Sequence, residues 1–243
     1  MHSIKGSKTD PRKPTWAVLG LFKNEGDIIR EWCQHYIIQG ANQIILVNNN
    51  SSDDWRSGLA ELGHDQRITC LSDERQHAQE SIYNDVFKSG IINSEWLLVC
   101  DLDEFVYARK GFESITDFLD SIPKSISSII IPWKNFGSSG HTQHPDGRVT
   151  DNFTARAAAC REIGKAISRT KTITSITIHE HLCRRGLRIR PSGALLDQSP
   201  VVDNDEQLLA ADPLHLNHYS IRSLQYYQNV KMKRGNAYSP DHQ

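Results

Sequence analysis

Short apolar runs in the first half of the chain predict strands that are covered on both faces. Four runs fit this pattern: residues 16–22, 44–47, 68–71 and 96–100. Between them, helical spacing of apolar residues predicts helices at residues 27–39 and 76–88. Gly40 follows the first helix as its C-terminal cap. Strands that alternate with helices predict an α/β fold with a mostly parallel, Rossmann-like sheet flanked by helices.

The second half of the chain has a more irregular, β-rich pattern. Residues 129–131 predict another strand, and a helix is expected at residues 220–234. Shorter β-like segments are expected at residues 152–157, 172–178 and 187–189. We predict a single domain over residues 15–240, preceded by a polar tail at residues 1–14. Within it, residues 15–132 would form a first half with the predicted parallel sheet, and residues 133–240 would form a second, more irregular half.

Composition excludes several classes of protein. Hydrophobic residues make up 38% and charged residues 23% of the 243 positions, which is typical of a globular chain in water. The 28 Lys and Arg against 29 Asp and Glu provide no overall basic surface for nucleic acid. The five cysteines form no Cys-x-x-Cys pair and are expected to be buried thiols of a reducing compartment. With no signal-peptide or membrane-spanning pattern, we predict a cytoplasmic protein, and peripheral contact with a membrane stays open.

Polar clusters follow three of the predicted strands, at residues 23–25, 49–53 and 101–104. Ligands of open α/β sheets bind outside the carboxyl ends of the strands, because loops and helix N-termini meet there. The three clusters therefore predict one ligand site.

Asp101 and Asp103 are the strongest candidates for metal binding. Hard cations such as Mg²⁺ or Mn²⁺ prefer oxygen ligands and keep positions open for water and phosphate. An Asp-x-Asp triplet alone is a weak signal, since such triplets are common on solvated loops. Its position directly after an apolar strand favours a site over a solvated loop.

The run at residues 98–105, with its Asp101-Leu102-Asp103-Glu104-Phe105 core, resembles family 2-like glycosyltransferases of GT-A fold, in the branch related to the family 92 domain. Other segments agree with this resemblance, which covers most of residues 16–237: 23–25, 49–53, 133–141, 217–219 and 231–235. It implies a sugar transfer from a nucleotide-sugar donor to a hydroxyl acceptor on a carbohydrate or lipid-linked glycan. The resemblance favours a UDP-sugar as the donor and inversion as the stereochemical outcome. Within the predicted domain, residues 15–132 would then bind the nucleotide sugar and residues 133–240 would form the acceptor side.

The resemblance also implies roles for individual residues. Asp101 and Asp103 match the positions that hold the metal, Mn²⁺ or Mg²⁺, and the donor diphosphate. His218 matches a late histidine that completes the metal sphere. The alternative for His218 is a hydrogen-bonded histidine at a strand end.

Three residues match positions near the donor nucleotide. Lys23 and Glu25 match the loop after the first strand, and Asp53 resembles the acid that contacts the uracil or ribose. Asp101 joins them as a donor-binding residue.

Asp103, Lys165 and His179 are the predicted catalytic residues. Lys165 and His179 match family positions in the middle segment, and Lys165 or Arg169 could neutralise the departing diphosphate. Both cations could equally be surface charges.

The acceptor side is less defined. Trp133 and Phe136 suit a sugar-stacking platform, and core packing explains them equally well. An inverting enzyme also needs a carboxylate base, and four acids are open candidates: Glu162, Glu180, Asp203 and Asp205.

Two rival functions stay open. A nucleotidyltransferase would carry a glycine-rich phosphate loop after the first strand, and residues 19–26 do not form one. A non-catalytic carbohydrate- or nucleotide-binding module would need neither Asp103 nor a base.

Overall fold

The computed structural model of the chain describes residues 12–158, 164–197 and 206–234. The strands in these ranges are β1 Trp16–Phe22, β2 Gln43–Asn48, β3 Ile68–Ser72, β4 Trp96–Val99, β5 Glu104–Ala108, β6 Ile126–Asn135, β7 Gly164–Arg169, β8 Ile173–Ile176, β9 His181–Cys183, β10 Leu187–Ile189, β11 Leu195–Leu196 and β12 Leu214–His218. The helices are α1 Gly26–Ile38, α2 Trp55–Ala60, α3 Gln79–Lys88, α4 Ile115–Asp120, α5 Val149–Asn152, α6 Glu206–Ala211, α7 Leu224–Tyr226 and α8 Met232–Arg234. A 3₁₀ turn covers Thr170–Thr172 and a π-helical turn covers Tyr227–Lys231.

A ten-stranded sheet organises the described residues. Its main order is β11-β10-β6-β7-β4-β1-β2-β3, and β12 adds to it by pairing with both β5 and β6. The four strands β4, β1, β2 and β3 are mutually parallel. The predicted parallel α/β fold of the first half is therefore confirmed.

Helices cover the central strands on both faces. Trp16 and Val18 of β1 pack in the cluster that contains α1, whereas Ala17 and Leu19 pack in a second cluster with α3. Both faces of β1 are thus buried, which explains its uninterrupted apolar sequence.

The second half of the chain continues the same sheet. β7 inserts between β4 and β6 and runs antiparallel to both. β6 extends over ten residues, so the predicted boundary between residues 132 and 133 falls inside one strand. The single-domain assignment itself stays a prediction.

Residues 152–157 do not form the predicted strand. Residues 149–152 form the single turn α5, and Arg156 makes one isolated bridge to Phe136. A tertiary contact stabilises α5: the carboxylate of Glu31 accepts hydrogen bonds from the amides of Val149, at 2.7 Å, and Thr150, at 3.1 Å. These contacts satisfy the free N–H groups at the start of a helical turn.

Three other predicted elements begin later than expected. The helix predicted from residue 76 begins at Gln79, and the strand predicted from residue 172 begins at Ile173 after the 3₁₀ turn. The C-terminal helix begins at Leu224 and not at residue 220, because the hydroxyl of Ser223 caps it by accepting the Tyr226 amide at 3.1 Å. Other described elements lie outside the predicted ranges: helices α2, α4 and α6 and strands β5, β7, β9, β11 and β12.

The cysteines in the described ranges are free thiols with different exposures. Cys33 and Cys100 are buried as predicted, and burial raises the pKa of both thiols. Cys70 is exposed, contrary to the prediction, because β3 is an edge strand. Cys160 lies outside the described residues.

Within the described ranges, no helix combines the length and the apolar character needed to cross a bilayer. The cytoplasmic location stays a prediction.

Candidate functional site

The loops after β1 and β2 are joined by hydrogen bonds at the carboxyl end of the sheet. The amide of Asn24 donates to Oγ of Ser51 at 3.0 Å, and the amide of Ser52 donates to Oδ1 of Asn24 at 2.8 Å. Asn24 has a positive φ of 55°, a conformation that asparagine tolerates well. The first two predicted polar clusters therefore form one surface.

Asp53 supports the start of helix α1. Its Oδ2 accepts the amide of Gly26, the first residue of that helix, at 2.7 Å. A Cβ atom on Gly26 would lie 2.8 Å from the backbone of Trp55, so glycine is required for this approach. The other oxygen, Oδ1 of Asp53, is buried and has no hydrogen-bond partner among the described atoms. Asp53 thus uses Oδ2 for a structural contact with helix α1, whereas its Oδ1 has no described hydrogen bond.

Glu25 takes part in a buried ion-pair cluster. Its side chain lies 3.4 Å from NH2 of the fully buried Arg222, whose NH1 lies 2.7 Å from Asp27. Arg222 follows strand β12, so this cluster ties the C-terminal segment to the loop after β1. Lys23 and Glu25 both line the cavity described below.

A tight turn after β4 presents Asp101 and Asp103. The amide of Glu104 donates to the Asp101 carbonyl at 3.0 Å, and Oε2 of Glu104 accepts the Asp101 amide at 2.9 Å. Glu104 is fully buried, and its burial raises the pKa of the carboxyl group to about 7. The motif's glutamate therefore closes the turn that holds both aspartates.

The carboxylate of Asp101 is held by side chains from two other elements. Nζ of Lys165 on β7 lies 3.1 Å from Oδ2, and Nε2 of Gln79 on α3 donates to Oδ1 at 3.0 Å. The hydroxyl of Tyr83 lies 3.4 Å from the same Oδ1. Burial disfavours the charge on Asp101, but the attraction of Lys165 outweighs burial and lowers the pKa of Asp101 below its usual value.

Lys165 is fully buried beneath Asp101. Besides Asp101, its ammonium contacts Oε2 of Glu104 at 3.4 Å and donates to the Ile178 carbonyl at 2.8 Å. Burial lowers the pKa of Lys165, but the adjacent carboxylates outweigh it and raise the pKa well above the usual value. Lys165 thus forms ion pairs with both Asp101 and Glu104. Its role in neutralising the departing diphosphate stays a prediction.

Arg169, considered beside Lys165, lies at the opposite end of the sheet. It forms an ion pair with Glu95 and stands over the ring of Trp96, the first residue of β4. Because β7 runs antiparallel to β4, the start of β7 lies at the carboxyl end of β4 and its last residue lies at the other end.

Asp103 and His218 lie against each other. Nε2 of His218 is 3.4 Å from Oδ1 of Asp103, and Nδ1 of His218 is 3.1 Å from Oδ1 of Asn135 on β6. Burial lowers the pKa of His218, but the Asp103 carboxylate outweighs burial and the net pKa is raised. An amide oxygen accepts hydrogen bonds only, so Nδ1 of His218 is the protonated nitrogen of the neutral ring and Nε2 faces Asp103.

Lys231 covers the other oxygen of Asp103. Its Nζ lies 3.0 Å from Oδ2, and the side chain is 30% exposed whereas that of Asp103 is only 2% exposed. Lys231 ends the π-helical turn. The C-terminal segment therefore reaches the candidate site through this lysine.

His179 stands at the edge of the same site. Its ring packs 5.2 Å from that of Trp133, and its Nδ1 is buried without a hydrogen-bond partner among the described atoms. Burial, together with the charge of Lys165, lowers the pKa of His179 to about 4. His179 is therefore a neutral imidazole at neutral pH.

A cavity of about 570 Å³ opens over these groups. Its walls include residues from all three predicted clusters, from the loop between β8 and β9 and from the C-terminal segment: Lys23, Glu25, Asn49, Asp101, His179 and Lys231. The volume lies within the usual range for small-molecule sites. Asp103 does not line the cavity, because Lys231 lies over it.

Asp101, Asp103 and His218, the predicted metal residues, lie in the same region. Of these side chains, those of Asp103 and His218 face each other. In the described part of the chain, no group of three or more His, Cys, Asp or Glu residues is arranged to hold a metal ion. The 3.4 Å between Asp103 and His218 is close to the roughly 3 Å between adjacent ligands of a cation with bonds of about 2.1 Å. The Asp103–His218 pair thus fits a cation that takes its other ligands from water and phosphate.

The acceptor-side candidates are only partly described. Trp133 is 7% exposed and packs against His218 at 4.4 Å between ring centroids, which favours core packing over a sugar platform. Phe136 packs on the ring of Tyr219. Glu180 is bonded to Arg188 at 2.8 Å. The other base candidates, Glu162, Asp203 and Asp205, lie outside the described residues.

Several contact residues of this site were not predicted from the sequence. They are Gln79, Tyr83, Glu104 and Asn135, which support the acids or His218, and Lys231, which covers Asp103. Glu104, Asn135 and Lys231 lie in segments that carry the resemblance, so those segments could have suggested all three.

Comparison with known families gives one extensive match. The family profile of Glycosyltransferase family 92 matches residues 17–239. A glycosyltransferase family 92 protein of Oryza sativa subsp. japonica is 26% identical over 172 residues, which is 68% of this chain and 29% of that protein. One of Ricinus communis is 23% identical over 235 residues, 92% of this chain and 38% of that protein. The chain thus spans well under half the length of these relatives.

Among solved structures, the crystal structure of S. aureus TarS 1-349 is similar with a TM-score of 0.46 and 16% sequence identity. The similarity covers 65% of this chain and 48% of that chain.

Proposed function

The chain belongs to glycosyltransferase family 92, and from this premise we propose that it transfers a sugar from a nucleoside-diphosphate donor, a UDP-sugar, to a hydroxyl acceptor. The acceptor is a carbohydrate or a lipid-linked glycan. The reaction is attack of an acceptor oxygen on the anomeric carbon, with the nucleoside diphosphate as leaving group.

One observation carries this proposal. Asp101 and Lys231 line one cavity at the carboxyl end of the parallel strands, and the Asp103–His218 pair lies directly beneath Lys231. A nucleoside diphosphate needs such a mixed site, because its phosphates need cations while its metal ion needs carboxylates.

Different residues would bind the cation and position its carboxylate ligands. Asp103 and His218 would hold a divalent cation, Mn²⁺ or Mg²⁺, with Asp101 beside them. Such a cation, when bound, supplies Lewis-acid stabilisation of the charge on the leaving diphosphate. Lys165 and Glu104 fix the position of Asp101 from below.

The nucleotide would lie over the joined loops after β1 and β2. Lys23 and Glu25 line this part of the cavity. Asp53, in the loop after β2, is not one of the residues that line it, and its buried Oδ1 has no hydrogen-bond partner among the described atoms. We assign Oδ1 of Asp53 to a hydrogen bond from the base or ribose.

His179 would contact the donor sugar or phosphate. It lines the cavity as a neutral ring, and its buried Nδ1 has no hydrogen-bond partner within the described ranges. A neutral imidazole can donate one hydrogen bond and accept another without a charge of its own.

The proposed stereochemical outcome is inversion, which requires a carboxylate base on the acceptor side. Of the four candidates, only Glu180 lies within the described ranges, and its carboxylate accepts a hydrogen bond from Arg188.

Thermal unfolding of the protein with a panel of nucleoside diphosphates and sugar nucleotides, with and without Mn²⁺, tests this function. A bound ligand raises the apparent stability by mass action. We expect UDP and one UDP-sugar to raise the melting temperature more in the presence of Mn²⁺. Release of nucleoside diphosphate from the same panel then separates an enzyme from a binding module. No stabilisation by any nucleotide would contradict the proposal.

A further inference from the structure

The side chain of Lys231 lies over the carboxylate of Asp103, which the proposed cation site requires. Its Nζ lies 3.0 Å from Oδ2 of Asp103, it lines the cavity, and it leaves Asp103 only 2% exposed. A ligand in the cavity therefore meets Lys231 before it meets Asp103. A cation held by Oδ1 of Asp103 and by His218 would lie next to this ammonium on Oδ2, and the two positive charges would repel each other.

The segment that carries Lys231 is firmly attached at its start. Arg222 is fully buried and forms ion pairs with Glu25 and Asp27. The amide of Leu224 donates to the His141 carbonyl at 3.2 Å. Residues 222–224 therefore form a fixed base.

Beyond that base, the described contacts become few. Residues 227–231 form a π-helical turn, an irregular form of helix that is frequent at functional sites. Gln228 and Asn229 are exposed, and Met232 is 65% exposed. Among the described side chains of residues 227–233, the bond from Lys231 to Asp103 is the one hydrogen bond to the rest of the protein.

A single polar bond at the end of a segment with a fixed base can be exchanged for another bond. A divalent cation outcompetes an ammonium for a carboxylate, because it carries twice the charge and binds at a shorter distance. The released ammonium would then face the cavity, where the donor diphosphate lies in the proposed function. Lysine binds phosphates well as a point charge.

We propose that Lys231 is an exchangeable counter-ion: it neutralises Asp103 in the empty enzyme and transfers its ammonium to the donor diphosphate when cation and donor bind. This inference rests on the proposed function. It adds a donor-binding residue, and it makes cation binding and donor binding respond to Lys231 in opposite directions.

The test compares Lys231→Gln with the wild type in two separate titrations. Without nucleotide, Mn²⁺ binding is followed by electron paramagnetic resonance, and we expect binding about three- to fivefold tighter in the variant, the usual strength of one partly exposed ion pair. With Mn²⁺ held at a saturating concentration, UDP binding is followed by calorimetry, and we expect it to weaken at least about tenfold in the variant, through loss of a charge-assisted hydrogen bond.

Three further variants serve as controls. Lys231→Arg keeps the charge and should restore UDP binding to within about threefold of the wild type, whereas Lys231→Met should repeat the result of Lys231→Gln. Lys233→Gln removes an exposed lysine that also lines the cavity. It has no described bond to Asp103, so both titrations should stay close to the wild type.

A lysine that only braces Asp103 would give a different result. Removing such a lysine would weaken Mn²⁺ binding, or it would leave both Mn²⁺ and UDP binding unchanged. Either result in Lys231→Gln and Lys231→Met overturns the inference. If the wild type binds UDP and Mn²⁺ and these variants match it, the inference fails while the proposed function stands. A wild type that binds neither ligand would refute both.

Discussion

Nε2 of His218 lies 3.4 Å from Oδ1 of Asp103, at the point where the antiparallel strands β12 and β5 pair His218 with Glu104. The pairing brings the last residue of β12 beside the turn after β4. Nδ1 of the same ring is fixed by Asn135 on β6, which pairs with His218 in parallel register. Three strands thus set the direction in which Nε2 of His218 points.

Replacing Asn135 with Ala should therefore weaken metal binding without unfolding the protein. The ring loses the acceptor that selects its tautomer, and such supporting bonds are typically worth about ten- to a hundredfold in metal affinity. Titration of Mn²⁺ followed by electron paramagnetic resonance measures this change. Asn217→Ala, a neighbouring asparagine with no described bond to His218, is the control. Equal Mn²⁺ affinities in wild type and Asn135→Ala would remove His218 from the proposed metal site.

Replacing Lys165 with Met should destabilise the fold strongly. The substitution leaves the carboxylates of Asp101 and Glu104 without their shared ammonium, and breaking a buried pair typically costs about 3–5 kcal/mol of unfolding free energy. Urea denaturation measures the loss. Adding Glu104→Gln to the variant should recover part of it, because one buried charge is removed. The exposed Lys171→Met should change stability by less than about 0.5 kcal/mol, and a similarly small effect of Lys165→Met would contradict the assignment.

Two substitutions at Asp53 should separate its structural contact from its proposed ligand contact. Asp53→Asn keeps an oxygen for the Gly26 amide, so stability should stay close to that of the wild type while UDP affinity falls by about 1–3 kcal/mol. Asp53→Ala loses both contacts and should also lose about 1 kcal/mol of unfolding free energy. Calorimetry with UDP and urea denaturation provide the two measurements. Unchanged UDP affinity in both variants would leave Asp53 with its structural contact alone.

Stability should fall as the pH decreases from about 6.5 towards about 4, and His35 should account for part of the fall. Burial lowers the pKa of His35 to about 4, against the opposing effect of its hydrogen bond to the Val106 carbonyl. The unfolded chain then binds a proton in this range that the folded chain does not, so the contribution of His35 is complete above about pH 6.5 and is lost below it. Between about pH 7.5 and about pH 5, this loss amounts to about 2 kcal/mol.

His35→Gln tests that assignment, because glutamine does not titrate and its amide can still donate to Val106. Urea denaturation at both pH values should show the stability difference between wild type and variant change by about 2 kcal/mol. His181, whose pKa burial lowers to about 3, contributes a similar fall in both proteins and cancels in the difference. Parallel stability curves for the two proteins would show that His35 does not titrate in this range.

The sequence predicted the elements whose own residues determine them. β1 and α1 were found because the apolar run and the spacing of Ile28, Trp32 and Tyr36 record their burial. α5 was missed because Glu31, which lies on α1, provides the acceptor that stabilises this single turn. Local pattern holds no information about such a distant contact.

The direction of strand β7 explains why Lys165 reaches the candidate site and Arg169 does not. Both lie on β7 four residues apart, which separates them by about 13 Å, so only one of them can reach the carboxyl end of β4. The sequence did not reveal that β7 runs antiparallel to β4. The contact of Lys231 with Asp103 was also hidden, because it joins residues that are 128 positions apart.

The central claim is that Asp103 holds a divalent cation against the donor diphosphate, and the most direct measurement is transfer or donor hydrolysis by Asp103→Asn across Mn²⁺ and Mg²⁺ titrations. Asparagine keeps the size and polarity of the side chain but removes the charge, so turnover at saturating donor should fall by on the order of 100-fold while circular dichroism stays that of the wild type. Asp151→Asn, at an exposed acid on α5, should turn over like the wild type. Equal rates for wild type and Asp103→Asn, or full wild-type activity in excess EDTA, would contradict the claim.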